Sequence, residues 1–336
     1  MNKRVGDILL EQGAVTSQQL REALEVQREK GGRLLWILGS LGYLTKSEIF
    51  KTLATHFGLE CQLLSDADCR TVDWSLSEGM SSEKILQLQT IAVAADEREV
   101  VLYTAYPEQK DMLAFYGSKF AGKRLRQVVI TDLDLLKLVT SHFQDTFQNQ
   151  SVYGLYYRNP KESARNVFSG GQVIVAGLLC MLLLVLIHQT PLLVSRTALL
   201  LINAFYLLTI LFRLALSVEG ARSEVLQPVS DEEVQALDNL SLPVYSVLVP
   251  VFKEPEVMPH LVKGLAQLDY PQNKLDVLLL LEESDPDTLR AAKAAKPPAN
   301  WRFIIVPDIH PKTKPKACNY GLHFARGEYL TIYDAE

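Results

Sequence analysis

The residues able to do chemistry gather towards the C-terminal end of this chain, where apolar runs finish in charged side chains. Lys253 and Glu254 follow VYSVLVPVF (244–252), and Glu282, Glu283 and Asp285 follow LDVLLLL (275–281). Lys316 and Asn319 come after WRFIIVP (301–307), and Asp334 and Glu336 close YLTIYDAE (329–336). A carboxylate after an early strand can accept from the N3–H of a uracil, and a lysine can neutralise a diphosphate. Two carboxylates one residue apart can hold Mg2+ or Mn2+ bridging phosphates. Metal and lysine together would stabilise negative charge on a departing nucleoside diphosphate. A doubly wound fold could carry the same carboxylates without a metal, so the reading rests on four such sets occurring together.

The elements between these residues must bring them to one edge. Continuous apolar strands at 244–252, 275–281, 301–307 and 329–334 alternate with helical stretches MPHLVKGLAQL, DPDTLRAAKAA and KPKACNYGLHFA. Such alternation predicts an α/β, Rossmann-like domain with a parallel sheet covered on both faces. Ligands of such sheets bind beyond the carboxyl ends of the strands, where these polar residues fall.

Upstream lies a different chemistry. GGQVIVAGLLCMLLLVLI (170–187) has Gln172 as its only strongly polar side chain, and TALLLINAFYLLTILF (197–212) follows a short link. Each approaches the ~20 apolar residues needed to cross a hydrocarbon core, predicting a transmembrane hairpin at 170–189 and 195–216. Arg158, Lys161 and Arg165 precede it and Arg213 and Arg222 close or follow it, against Arg196 alone between the spans. By the positive-inside rule both large soluble parts are expected on the cytoplasmic side. The N-terminus, MNKRVGDILLEQG, is broken by Asp7 and Glu11 too early for a secretory signal. Four cysteines without a C-x-x-C pair read as reduced thiols. A net charge of −5 with no long basic block argues against a nucleic-acid partner.

At the front, residues 4–27 repeat as residues 33–56 with an offset of 29. Arg4 falls on Arg33, Ile8 on Ile37, Gly13 on Gly42, Thr16 on Thr45 and Leu24 on Leu53. Gln19 and Glu48 stand three residues after the threonines, predicting a capping box and a helix start in each copy. Leu20, Ala23, Leu24 and Gln27 share one face of the first helix, and Ile49, Leu53 and His56 that of the second; glycines at 31–32 and at 58 end them. Residues 66–146 alternate as strands and helices of a small α+β module. GSKFAGKR (117–124) satisfies G-x-x-x-x-G-K, but Arg124 replaces the Ser or Thr of a phosphate loop and the segment follows a helix rather than a strand, so no ATPase activity is expected.

The repeat, with the motif R-L-G-x-x-L, a Gly, then L-x-x-x-L-x-x-Q and a five-residue spacer at 28–32, resembles the N-terminal MshEN-type domain of type II secretion and type IV pilus assembly ATPases. The resemblance implies cyclic di-GMP as an allosteric ligand, contacted by Arg4, Gly6, Gly13 and Gln27 in one copy and by Arg33, Gly42 and His56 in the other. Leu35, Trp36 and His56 depart from the motif. At the other end, PVFKE (250–254), EESD (282–285), KPKACNYGL (314–322) and YDAE (333–336) resemble the start of the GT-A domain of family-2 processive glycosyltransferases, the cellulose and hyaluronan synthase relatives. That resemblance implies Glu283, with Glu282, at the uracil, Lys316 at the diphosphate and Asp334 with Glu336 at the metal, alongside Glu254, Asp285 and Asn319 in the donor site. It also places the acceptor-side general base, the Q-x-x-R-W motif and further membrane spans beyond residue 336, so that this segment by itself is expected to bind a donor without turning it over.

The expected organisation is a multidomain membrane protein. It comprises a tandem helical repeat (1–65), the α+β second part of the N-terminal regulatory module (66–150), two transmembrane helices (170–216), a linker (217–242) and a partial GT-A domain (243–336). The expected function is a glycosyltransferase of the bacterial inner membrane. It would move sugar from a nucleotide-sugar donor, by expectation a UDP-sugar, to an exopolysaccharide or envelope glycan acceptor under cyclic di-GMP control. The competing expectation is a non-catalytic membrane scaffold whose front docks onto a secretion or pilus machine.

Overall fold

The computed structural model describes residues 4–165, 167–222 and 229–335. Two compact units make up the chain, Met1–Gly154 with Asp238–Glu336, and Leu155–Leu237.

In the first unit the repeat folds twice into the same pair of helices: α1 (Val5–Glu11) with α2 (Ser17–Lys30), and α3 (Leu34–Ser40) with α4 (Lys46–Phe57). Thr16 accepts from the Gln19 peptide N–H at 3.2 Å and Thr45 from that of Glu48 at 3.4 Å, and each N3 side chain bonds back to the threonine N–H. Gly13 and Gly42 turn the chain with φ of +66° and +77°, a conformation costly to any residue with a Cβ. Gly31 and Gly58 follow α2 and α4 as their caps. The two copies differ in cover. Leu53 is buried because α4 packs on a sheet, whereas Leu24, expected on a packed face, is 40% exposed because α2 packs on α3.

That sheet belongs to the following module. β1 (Glu60–Cys61), α5 (Asp66–Arg70), α6 (Ser82–Leu88), β2 (Thr90–Ala95), β3 (Glu99–Thr104), α7 (Lys110–Lys119), β4 (Arg124–Val129), α8 (Asp132–His142) and α9 (Gln144–Arg158) follow in order. The strand order is β1-β4-β3-β2, with β2 and β3 an antiparallel hairpin and the other pairings parallel. Asp96 makes the hairpin turn by accepting from the N–H groups of Arg98 and Glu99. The G-x-x-x-x-G-K segment runs from α7 into β4, the reverse of a phosphate loop.

In the second unit, α10 (Gly170–Gln189) and α11 (Pro191–Arg222) reach mean hydropathies of 2.5 and 2.1 and are long and apolar enough to cross a membrane. Gln172, the polar exception of the first helix, closes a capping box with Ser169. The second helix begins at Pro191, four residues before the expected 195, since proline is well suited to a first helical turn. A short helix, α12 (Asp231–Gln235), completes the unit.

The chain then returns to the first unit as β5 (Tyr245–Val251), α13 (Met258–Ala266), β6 (Leu275–Glu282), α14 (Pro286–Ala294), β7 (Arg302–Val306), α15 (Lys314–Leu322) and β8 (Tyr329–Ile332). The strands are all parallel in the order β7-β6-β5-β8, as the β/α alternation predicts. Every residue of β6 is buried. Met258, Val262, Leu265 and Ala292 cover one face over Val247, Val249, Val277 and Leu279. Ala317, Cys318, Tyr320 and Phe324 cover the other over Leu248, Leu278, Leu280 and Ile304. A buried Leu stabilises by ~1.5–3 kcal/mol, so these two layers dominate the stability of the sheet.

The second of these cores continues into the front module. Phe147 of α9 is fully buried with its ring centroid 5.2 Å from that of Phe324 and 6.1 Å from that of Tyr320. Beside it runs a polar seam. Arg302 pairs with Asp276 inside the sheet domain, while Asp132 of α8 lies between Lys46 at 3.2 Å and Arg326 at 3.5 Å. Burial alone would raise the pKa of Asp132 and Asp276. The cations more than reverse this, Lys46 first for Asp132 and Arg302 first for Asp276, and hold both below the usual carboxylate range. A carboxylate with a depressed folded pKa contributes stability above its unfolded pKa, about 4, and loses it as pH falls through the folded value. The melting temperature is therefore expected to drop as pH falls below about 4. The drop should shrink in Asp132→Asn and Asp276→Asn, and an acid limb identical in both variants would contradict the charge assignment.

Candidate functional site

The C-terminal edge of the second sheet carries a cleft of about 240 Å3. Phe252, Glu254, Glu282, Lys312, Thr313 and Lys314 line it over a floor of Pro250, Val251, Leu280 and Ala317. β5 delivers the first wall. Lys253 takes φ +58°, and its peptide N–H donates to the Asp285 carboxylate, which also caps α14 by accepting from the Thr288 N–H at 3.2 Å. The Glu254 N–H donates to the Thr288 hydroxyl at 3.2 Å. Glu254 Oε2 is then left buried without a hydrogen-bond partner. A buried carboxylate oxygen with nothing to accept from is costly, and a ligand N–H or a cation would remove that cost.

β6 delivers Glu282, whose oxygens receive Lys316 Nζ at 3.0 and 3.1 Å. Lys316 also lies 3.3 Å from the carbonyls of Pro307 and Ile309, and its side chain is 2% exposed. Three acceptors therefore occupy its three donors. The lysine expected at a diphosphate is here the tether of the 307–313 segment. The cations that line the cleft are its neighbours, Lys312 and Lys314. Sequence reasoning passed over these two, although K-T-K-P-K (312–316) contains the signal, lysines two residues apart entering a helix.

The other expected donor residues disperse. Glu283 is exposed and accepts from the Asp308 N–H at 3.3 Å, while Asp285 serves the backbone of two loops. Asn319 donates to the Ser151 carbonyl at 3.0 Å, tying α15 to α9 and not reaching the cleft. Asp334, two residues beyond β8, is exposed and ion-paired with Lys314 at the cleft rim. The Lys314 ammonium first, with the Ala335 N–H, holds its carboxyl below the usual range. Glu336 lies outside the described residues. Among the described residues no three His, Cys, Asp or Glu side chains form a metal cluster. Asp334 and the unsatisfied Glu254 are hard oxygen donors of the kind that suit Mg2+ or Mn2+ in company with phosphate oxygens.

At the front, Arg33 and His56 line one cavity of about 200 Å3 with Leu35, Trp36 and Glu108. Arg33 is paired with Glu108 and stands over the Tyr106 ring, 5.6 Å from its centroid. Leu35, in the glycine position of the motif, is buried in the core, and Trp36 packs edge-on against Phe50 and Tyr106. In the first copy, Arg4 precedes α1 and is exposed, Gly6 abuts Leu20, and Gln27 donates to the Gly32 carbonyl at 2.8 Å. Gly13 and Gly42 occupy equivalent turns of the two copies.

Residues 246–336 match the family model for glycosyl transferase family 2. The chain is 31% identical over 113 residues to the type IV pilus assembly ATPase PilB of Thermus thermophilus, a match covering 34% of this chain. The chain spans 12% of the length of that relative. Among solved structures, the N-terminal region is similar to MshE with cdg, at 22% identity and TM-score 0.37 over 41% of this chain and 98% of that one. It is also similar to the N-terminal domain of XpsE, at 20% identity and TM-score 0.32 over 41% and 96%. A further likeness is to the mannosyltransferase PcManGT from Pyrobaculum calidifontis in complex with GDP-Man and Mn2+, at 26% identity and TM-score 0.24 over 28% of this chain and 27% of that one. The chain thus joins an MshE- and XpsE-like N-terminal region to a glycosyltransferase family 2 segment, with two apolar helices between them.

Proposed function

We propose that this chain is part of an inner-membrane glycosyltransferase that draws on a cytoplasmic nucleotide-sugar donor, by preference a UDP-sugar, and extends an exopolysaccharide or envelope glycan under cyclic di-GMP control. The observation that carries the reading is the unpartnered Glu254 Oε2 in a cleft that also presents Lys312 and Lys314, with Asp334 at its rim, inside the segment matched by the glycosyltransferase model. Glu254 would accept from the donor, and Glu283 would be the base-reading acid suggested by the motif. Lys312 and Lys314 would neutralise the diphosphate. Asp334 with Glu336 would hold Mg2+ or Mn2+, which supplies Lewis-acid stabilisation of the charge developing on the leaving nucleoside diphosphate. Glu282, Asp285, Lys316 and Asn319 would act one step back, by fixing the loops that carry these groups.

Helices α10 and α11 would span the membrane, and the basic residues flanking them support a cytoplasmic position for residues 1–150 and 243–336. In the front module, Arg33 and His56, which share a cavity, would meet cyclic di-GMP together with Arg4, Gly6, Gly13, Gln27 and Gly42. Equilibrium binding to the purified protein tests both halves. UDP is expected to bind about tenfold or more tightly with Mn2+ than without, the equivalent of ~1.4 kcal/mol. Cyclic di-GMP is expected to bind the wild type and to lose about tenfold or more in Arg33→Ala, the size of one charge-assisted contact. Absence of Mn2+-dependent UDP binding would remove the catalytic reading, and absence of cyclic di-GMP binding would return the front module to a docking role.

A further inference from the structure

We propose that Arg326 is a positioning residue through which the front module sets the strand that carries Asp334. The proposal rests on the reading of Asp334 as a metal carboxylate.

Among the described residues β8 pairs with β5, and a polar turn leads the chain into that pairing. In that turn the Arg326 N–H donates to Asp276 Oδ2 at 2.9 Å, and the Gly327 N–H donates to Ser246 Oγ at 2.8 Å. Ser246 donates its own hydroxyl to Asp276 Oδ2 at 2.8 Å, and Glu328 N–H reaches the Val244 carbonyl at 2.9 Å. A Cβ on residue 327 would come within 2.4 Å of the Ser246 nitrogen, so the close approach requires glycine. These bonds set the register in which Tyr329 pairs with Tyr245 and Ile332 with Leu248, and two residues later the chain presents Asp334.

The side chain of the same arginine leaves the sheet domain. Its Nη1 donates to the Tyr106 hydroxyl at 3.2 Å, and its Nη2 donates to Gln89 Oε1 at 3.4 Å and lies 3.5 Å from Asp132. All three partners belong to the front module. Asp132 in turn pairs with Lys46, the first residue of α4 in the second repeat. Tyr106 is shared, since Arg33 lies over the same ring at 5.6 Å and Arg326 at 5.9 Å. A cavity of about 580 Å3 opens beside both guanidiniums, so neither is locked by close packing on that side. One residue therefore has its backbone in the turn that registers the metal strand and its guanidinium in the module that holds Arg33 and Lys46. By contrast, the Arg302–Asp276 pair stays within the sheet domain, and the Asn319–Ser151 bond holds α15.

The test uses the intact protein in detergent, with UDP and Mn2+ as probes and the wild type measured alongside. Arg326→Gln removes the three-way grip of the guanidinium, and Tyr106→Phe removes one acceptor while keeping the ring. Arg326→Lys keeps the charge without the fork. The Mn2+ concentration that half-saturates UDP binding is expected to rise about tenfold in Arg326→Gln, the lower end of what outer-shell changes cost a metal site. A smaller rise is expected in Tyr106→Phe and an intermediate one in Arg326→Lys, with UDP affinity in the absence of Mn2+ unchanged. The surface variant Arg290→Gln, which loses only a pair with Asp287 on α14, should match the wild type. Superimposable Mn2+ curves for folded Arg326→Gln and wild type would overturn the proposal. So would an equal loss of UDP affinity with and without Mn2+, which marks general loosening of the domain. A wild type without any Mn2+ dependence would instead overturn the reading of Asp334, and this inference with it.

Discussion

Asp334→Ala is expected to abolish the Mn2+ dependence of UDP binding and, in the full-length enzyme, to lower sugar transfer by about a thousandfold, or ~4 kcal/mol at 1.36 kcal/mol per decade. The size follows from the task. A carboxylate that helps hold a divalent ion acts on the charge of the leaving diphosphate, and few other groups on this chain could take over that charge. The melting temperature should hold, because Asp334 is exposed and beyond the last strand. Removing it also takes one ion-pair partner from Lys314 without touching the cleft lysines themselves, so UDP binding without metal should be retained. That combination separates a metal ligand from a residue whose loss merely disorders the edge of the sheet. If UDP binding in Asp334→Ala keeps its full Mn2+ dependence, the metal assignment fails.

Lys316→Met is expected to destabilise the protein by ~3–5 kcal/mol, the usual cost of leaving one member of a buried ion pair uncompensated. Glu282 is 7% exposed and would keep its carboxylate beneath the cleft without the ammonium that now lies 3.0 Å away. The same change frees the Pro307 and Ile309 carbonyls, and with them the segment that presents Lys312, Thr313 and Lys314 to the cleft. Adding Glu282→Gln to Lys316→Met should recover most of the stability, because the stranded charge is gone. Donor binding then tests the role of the lysine. Recovery of UDP affinity along with stability would exclude a direct contact of Lys316 with the diphosphate. Chemical unfolding showing less than about 1 kcal/mol of loss in the single variant would mean the pair is not buried as described.

Much of the fold was legible because its causes are local. The 29-residue repeat, its two threonine capping boxes and its two glycine turns depend on residues within four positions of one another, and they appear as expected. The apolar runs that became β5, β6, β7 and β8 announced a parallel sheet because strands buried on both faces need not alternate. The extent of α10 was likewise readable, whereas α11 runs from Pro191 to Arg222, past the expected 195–216 at both ends, its start shifted by a residue that favours a first turn. For the cleft, Asp334 and Glu254 could be picked out as carboxylates at strand ends, since the direction of a parallel strand already says which edge its last residue reaches.

What the sequence determined by itself was therefore the inventory: two MshEN-like repeats, two long apolar helices, a parallel sheet and a set of charges at its carboxyl edge. Tertiary structure alone decided which of those charges face a ligand and which neutralise one another. Lys316 and Glu282 are 34 residues apart and cancel, Asp285 serves two peptide groups, and Asn319 reaches back 168 residues to Ser151. Leu24 and Leu53 hold the same place in their repeats, yet only the second lies under a sheet. Nor could the sequence foresee that Arg326 meets Tyr106, Asp132 and Gln89 across a seam. The physical reason is common to all of them: the energy of a buried charge or apolar group is set by what surrounds it within a few ångströms, and that neighbourhood exists only once distant segments have packed.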